Sequence, residues 1–274
     1  MSAIQDLIKQ APAIMGIVNV TPDSFSDGGN FYDASKAITH GLQLLEEGAH
    51  ILDIGGESTR PGAQNVSAEE EIRRVIPVIE GLSEKAPYIS IDTRNAQTMR
   101  AAIKAGANII NDVSALTHDP DSIKVACESA LPVCLMHMQG TPKTMQNKPV
   151  YDNIINDILH FFERRVSLCR ENGIKDTQII LDPGIGFGKT QDHNLMILKH
   201  LDKFKALGFP VLLGASRKSF IGALSQNEPP EKRISGSLAA ALWGAEQGAD
   251  IIRVHDVKET VQALAIQKAI KEAD

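Results

Sequence analysis

Cysteine is scarce in this chain of 274 residues: Cys127, Cys134 and Cys169 are the only three, and none forms a CxxC pair. That excludes a disulfide framework or a cysteine-built zinc site as the organising device. No uninterrupted apolar run reaches the roughly 18 residues of a membrane helix. The first dozen residues are too polar for a signal-peptide core, so the expectation is a cytoplasmic protein without membrane contact. Excess positive charge is also missing. Lys and Arg total 28 against 34 Asp and Glu, a net charge of −6, which argues against nucleic acid or an anionic membrane as partner. No Pro/Gly/Ser linker interrupts the chain, and 43% hydrophobic residues suit an ordinary globular fold. The expectation is one domain over 1–274.

What is present is alternation. Short β-branched runs bounded by turn residues occur at 14–19, 50–54, 88–92, 108–113, 132–137, 179–182, 210–214 and 251–255. Longer amphipathic stretches lie between them; in 33–47, Ala34, Ala37, Ile38, Leu42 and Leu45 recur at helical spacing. Eight strands alternating with helices predict an α/β fold with a parallel sheet, and eight is the number that closes into a barrel. An internal repeat points the same way. Gly48-Ala49-His50-Ile51-Leu52-Asp53 matches Gly106-Ala107-Asn108-Ile109-Ile110-Asn111 and Gly248-Ala249-Asp250-Ile251-Ile252-Arg253. Each copy starts on a glycine suited to a helix C-terminus, continues as a buried strand and ends on a polar residue. Periodicity alone favours a barrel over an open doubly wound sheet without deciding between them.

Parallel strands are buried on both faces and should read as apolar runs. Here nearly every strand instead finishes on polar residues: Asn19, Glu57 to Arg60, Asp92, Asn111 and Asp112, His137, Asp182, Arg217 and Lys218, Arg253 and His255. Any one of these could be a satisfied core polar group or a helix cap. Eight together predict a polar mouth at the C-terminal ends of a barrel, where such folds carry their sites.

The glycine-rich stretch Asp182-Pro183-Gly184-Ile185-Gly186-Phe187-Gly188-Lys189-Thr190 fits no nucleotide motif. A phosphate-binding loop needs Gly where Pro183 stands, and a dinucleotide fingerprint needs Gly where Lys189 stands. It reads as a flexible strand-to-helix loop. Gly214-Ala215-Ser216-Arg217-Lys218-Ser219 predicts an anion site, two cations and hydroxyls opening a short helix. The polar loop Asn19 to Gly29 suits a lid or a plain connector equally.

Together the segments 14–29, 52–62, 90–93, 110–114, 136–142, 182–189, 216–219 and 253–256 closely resemble the bacterial dihydropteroate synthase family of pterin-binding enzymes. They run in order through nearly every strand; the one departure is Ala115, where the family often has Gly. The resemblance implies a (β/α)8 TIM barrel. It further implies condensation of 6-hydroxymethyl-7,8-dihydropterin diphosphate with p-aminobenzoate, magnesium as cofactor, sulfonamides as competitors, and a homodimer. It assigns the pterin to Asp92, Asn111, Met136, Asp182, Phe187, Gly214, Lys218 and Arg253. The diphosphate falls to Asn19, Thr59, Arg60, Arg253 and His255, with Asn19 the metal ligand. The amine substrate falls to Ser26, Thr59, Pro61, Phe187, Lys218 and Ser219, and the chemistry to Asp92, Lys218, Asp27 and Arg60. Two alternatives stand beside this: a methylfolate-dependent methyltransferase, which would share Asp92, Asn111 and Asp182, and a non-catalytic pterin-binding homologue.

Overall fold

The computed structural model describes residues 7–8, 12–21, 30–58, 66–141 and 143–273. Eight parallel strands form its centre: β1 (Ala13–Asn19), β2 (Ile51–Gly55), β3 (Ile89–Asp92), β4 (Ile109–Asp112), β5 (Val133–Met136), β6 (Ile179–Asp182), β7 (Leu212–Leu213) and β8 (Ile251–Val254). The hydrogen-bonded order runs β6-β5-β4-β3-β2-β1-β8-β7, and a parallel bridge between Leu181 and Val211 joins the two ends. The molecule is a (β/α)8 barrel. All eight expected strands are present, but β7 spans two residues rather than the expected 210–214: Pro210 has no N–H to give, and the Val211 N–H goes to the Asp250 carboxylate at 2.7 Å.

The helices are α1 (Asn30–Glu46), α2 (Ala68–Leu82), α3 (Ala96–Ala105), α4 (Ser122–Ser129), α5 (Ile154–Glu171), α6 (Gln191–Lys199), α7 (Leu201–Lys205), α8 (Ser219–Leu224), α9 (Ile234–Glu246) and α10 (Val257–Lys271). Local chemistry sets several starts. Ser67 caps α2 by accepting from the Glu70 N–H, Asn153 caps α5 by accepting from Asn156, and Thr190 caps α6 by accepting from His193. The three repeat copies end their helices identically. Gly48, Gly106 and Gly248 take φ of 104°, 121° and 88°, and the following Ala49, Ala107 and Ala249 N–H groups each reach back 2.9 Å to Leu44, Ala102 and Gly244 carbonyls.

Strand residues alternate between two cores. Ile14, Leu52, Ile91, Ile110, Val133, Leu181 and Ile252 point outward beneath the helices. Met15, Ile51, Ile109, Cys134, Ile180, Leu212 and Ile251 point inward, with Ile8 packed against them, and fill the base of the barrel. At about 1.5–3 kcal/mol per fully buried aliphatic side chain, this plug seals one end. Most inward positions nearer the strand C-termini are polar, Asp53, Asp92, Asn111, Asp182 and Arg253 among them, so the opposite end is the polar one. Among the described residues no helix is long and apolar enough to cross a membrane.

Candidate active site at the barrel mouth

Register decides which polar strand ends enter the mouth. Pairing of Ile17 with Asp53, Asp92 with Asn111 and Met136 with Asp182 places Asp53, Asp92, Asn111, Met136 and Asp182 on the inner face. Asn19 half-buried at the end of β1, Gly214 beyond β7, Arg253 on β8 and His255 just beyond it follow the same inward alternation. With Lys218 and Phe187 added from the segments after β7 and β6, ten predicted site residues meet at one rim: Asn19, Asp92, Asn111, Met136, Asp182, Phe187, Gly214, Lys218, Arg253 and His255. Ser219 is exposed at the first turn of α8. Ser26, Asp27, Thr59, Arg60 and Pro61 lie outside the described residues.

The neighbouring polar residues do something else. Asp112, one residue past Asn111, is fully buried and binds Ser114 N–H (2.7 Å), Ser114 hydroxyl (2.6 Å) and Leu116 N–H (3.0 Å), fixing the turn that follows β4. Glu57 forms a two-pronged ion pair with Arg94, both contacts at 2.9 Å. Arg217, expected in the anion site, is turned away: its guanidinium holds Asp256 at 3.0 and 2.5 Å, and only Lys218 of the two cations is left for the mouth. The reason is conformational. Arg217 sits at φ 58°, a left-handed turn that sends its side chain to the opposite side from Lys218.

The floor of the mouth is an ionic network. Arg253 Nε donates to Asp53 Oδ2 at 2.6 Å and its Nη2 to Asp92 Oδ2 at 2.9 Å. Asn111 Nδ2 donates to both Asp53 oxygens, at 3.3 and 3.1 Å. Burial, then the charge of Asp53, pushes the Asp92 carboxyl up to about 7, with Arg253 pulling the other way. Asp53 escaped assignment from sequence, although the repeat marks it as the positional equivalent of Asn111 and Arg253.

Asp182 is buried at the end of β6, raised by desolvation, and accepts from the Gly184 N–H at 2.7 Å. The Lys218 ammonium lies 4.0 Å from the centroid of the Phe187 ring, a cation–π distance. Burial and then Arg253 lower Lys218 to about 8. His255 Nδ1 meets the Ser216 hydroxyl at 3.0 Å. The β6–α6 loop is not the flexible connector expected: Lys189 is 3% exposed, and Gln146 and Tyr151 side chains hold the Gly186 and Gly188 carbonyls at 2.7 Å each. Chemically, the mouth offers carboxylate acceptors for a donor-rich planar ring, an aromatic wall beside a cation, and further cationic or amide groups around the rim.

No described cluster of three or more His, Cys, Asp or Glu is arranged to hold a metal ion. Asn19 supplies one hard oxygen at the rim, which suits a magnesium ion whose remaining ligands are phosphate oxygens and water.

Comparison with known proteins assigns the mouth to a family. The pterin binding enzyme family matches residues 15–255. Dihydropteroate synthase of Escherichia coli K12 is 49% identical over 259 residues, 94% of this chain and 91% of that protein. The Haemophilus influenzae enzyme is 48% identical, covering 96% and 95%. Yersinia pestis dihydropteroate synthase, solved in complex with a sulfonamide drug, superimposes with a TM-score of 0.91 at 48% identity over 96% of each chain. The Xanthomonas albilineans enzyme, solved with 4-aminobenzoic acid, gives 0.91 at 48% identity, covering 96% of this chain and 94% of that one. The same enzyme in complex with 7,8-dihydropteroate gives 0.87 at 45% identity, covering 96% and 95%. The buried carboxylates, the paired arginine and the lysine over its aromatic ring thus sit in a chain that belongs to the pterin-binding enzymes and, within them, to the dihydropteroate synthases.

Proposed function

We propose that this mouth joins 6-hydroxymethyl-7,8-dihydropterin diphosphate to p-aminobenzoate, releasing pyrophosphate and 7,8-dihydropteroate. The observation that carries the assignment of roles is Asp182: a desolvated carboxylate at a strand end, fixed by the Gly184 N–H and set beside Lys218 and Phe187. The 2-amino and ring N–H groups of a pterin form a two-donor edge that a carboxylate accepts in parallel. Asp182 takes that edge, Asn111 and Asp92 meet other ring positions, Met136 and Gly214 line the ring, and Lys218 donates to its acceptor atoms. Arg253, held by Asp53 and Asp92, presents its guanidinium to the ring face and the diphosphate.

Asn19, Thr59, Arg60, Arg253 and His255 hold the diphosphate. Asn19 would ligate magnesium, which when bound neutralises charge on the leaving group. The methylene carbon–oxygen bond breaks first, its electron pair departing with pyrophosphate, because the electron-rich ring stabilises the cation left behind. Asp92 stabilises that cation electrostatically. The amine lone pair then forms the carbon–nitrogen bond, and the nitrogen proton leaves to solvent or pyrophosphate. Phe187 and Pro61 wall the aminobenzoate beside Lys218, Ser219 offers donors to its carboxylate, and Ser26, Asp27, Thr59 and Arg60 close over it. Sulfonamides compete there. No side-chain nucleophile is used; Cys134 is sealed in the barrel base and Cys169 is buried in α5.

The protein acts in the cytoplasm as one 1–274 domain and pairs with itself. Support for pairing is an apolar face on adjoining helices: Leu195 and Met196 on α6 and Trp243 on α9 are 37%, 41% and 47% exposed. Sedimentation of the wild-type chain as a monomer would remove that part.

The deciding experiment mixes purified protein, dihydropterin diphosphate, p-aminobenzoate and Mg²⁺ and follows both products. Equal, magnesium-dependent formation of dihydropteroate and pyrophosphate is expected. Pyrophosphate without dihydropteroate would discredit the amine pocket, and neither product would leave pterin binding alone.

A further inference from the structure

Lys189 stands just past the glycines of the β6–α6 loop, in a triplet, Gly188-Lys189-Thr190, that matches no nucleotide motif. Its side chain is buried, 3% exposed. The Nζ lies 2.9 Å from His137 Nδ1, 3.2 Å from the His137 carbonyl oxygen and 3.0 Å from the Phe187 carbonyl oxygen. An ammonium has three N–H donors and no acceptor, so all three are spent. His137 is the acceptor, its imidazole held neutral by burial and by the neighbouring Lys189, which lower it to about 2. These contacts join two segments. His137 follows β5, and its N–H bonds the Asp182 carbonyl at 2.9 Å; Phe187 belongs to the loop after β6.

The two segments approach so closely that a Cβ on Gly184 would sit 2.0 Å from the His137 carbonyl oxygen. Gly184 in turn gives its N–H to the Asp182 carboxylate. Lys189 therefore fastens, from beneath, the backbone that aims both Asp182 and the Phe187 ring.

We propose that Lys189, through His137, is a positioning residue for pterin recognition: it locks the β5 and β6 segments together and sets the charge environment of the Asp182 carboxylate. This rests on the assignment of Asp182 to the pterin edge. Asp182 is faced by three cations, Lys218, Lys189 and Arg253, by the Cys134 thiol below it, and by the Gly184 N–H. Lys189 is faced by His137, Asp182, Lys218 and His193. Burial lowers Lys189 to about 7, so its positive charge is present through the acid range in which the raised Asp182 titrates. Removing that charge raises the Asp182 pKa, and the pH below which pterin binding fails moves up with it.

The test is pterin affinity against pH, measured calorimetrically without the amine, for wild type, Lys189→Met, Lys189→Gln and Lys189→Arg. The neutral variants are expected to bind pterin at least tenfold more weakly at pH 6 and to move the acid limb up by about one pH unit. Gln keeps two donors for the carbonyls and covers the case in which Met does not fold. Arg keeps the charge but overfills the three-acceptor site. It should leave the acid limb in place while weakening binding, and it decides the matter if neither neutral variant folds: wild-type affinity in Lys189→Arg overturns the proposal.

A folded neutral variant with wild-type affinity and an unmoved acid limb overturns it as well. Asp182→Asn separates the two layers. If it binds pterin normally the Asp182 assignment itself falls; if it loses pterin while Lys189→Gln behaves as wild type, only the role of Lys189 falls.

Discussion

Arg253 Nε and Asp53 Oδ2 lie 2.6 Å apart across the barrel floor, although 200 residues separate them in the chain. The same guanidinium reaches Asp92, so one cation is stretched between two buried carboxylates. Charge-assisted contacts from two nitrogens of one rigid guanidinium to two separate carboxylates fix orientation as well as charge. Arg253 is thereby aimed before any substrate arrives, and Asp53 is what aims it.

Replacing Asp53 by Asn should therefore damage both folding and turnover. Breaking a buried pair by removing one partner costs about 3–5 kcal/mol. Asp92 remains as a partner, so the lower end, about 3 kcal/mol, is expected in urea unfolding. Misplacing a group by an ångström can cost about 100-fold in rate, and kcat/KM should fall by that order. A variant within 1 kcal/mol of wild type by the ~1.4 kcal/mol-per-decade scale, with undiminished kcat/KM, would show that Arg253 is oriented by something else.

The pH dependence follows from the same floor. Asp92 is raised to about 7 and must be ionised to stabilise a cation, so activity falls as pH drops through that value. Lys218 is lowered to about 8 and must be protonated to donate, so activity falls as pH rises through it. The plot of kcat/KM against pH should be a narrow bell between the two, reporting the coupled cluster rather than single residues. Asp92→Asn should erase the acid limb attributed to Asp92, along with most of the rate. A flat profile from pH 6 to 9, the range about one pH unit either side of those values, would refute the assignment of both groups.

Strand count and site position were legible because each rests on local signals. β-branched runs mark the strands, and polar residues interrupt them where burial would otherwise forbid it. The repeat carried more than fold: its three terminal residues, Asp53, Asn111 and Arg253, occupy equivalent inward positions on even-numbered strands, and Asn111 and Arg253 both donate to Asp53. Asp53 was passed over because a strand end alone does not say which of its polar neighbours faces in; register does, and register is a property of the closed sheet. For the same reason Arg217 and Lys218, adjacent in sequence, part company. Arg217 finds Asp256, 39 residues away, a partner that no local pattern announces. The β6–α6 loop looked flexible from its glycines because the side chains that pin it, His137, Gln146 and Tyr151, come from other segments.

Magnesium should enter through the leaving group. Chelation is expected to stop pyrophosphate release while pterin lacking the diphosphate still binds, since Asp182 and Asn111 need no metal. Asn19→Ala should raise the Mg²⁺ concentration for half-maximal rate by about tenfold, the worth of one charged hydrogen bond or ligand. Unchanged magnesium dependence in that variant would place the ion elsewhere.

Two glycine substitutions should separate backbone strain from close packing. Gly184 and Gly208 adopt φ of 70° and 84°, where an L side chain costs about 1–2 kcal/mol. A Cβ on Gly208 would meet nothing within 4 Å, so Gly208→Ala should lose only that strain, about 1–2 kcal/mol, and keep full activity. A Cβ on Gly184 would strike the His137 carbonyl at 2.0 Å, and backbone cannot step aside as a flexible side chain can. Gly184→Ala must push the β6 loop off the β5 segment, dragging the N–H that holds Asp182. Its loss of stability should exceed that of Gly208→Ala by at least about 2 kcal/mol, in the range of overpacked cores. Pterin affinity should collapse with it. Equal unfolding curves for the two variants would mean that the close approach at Gly184 is not what holds the carboxylate in place.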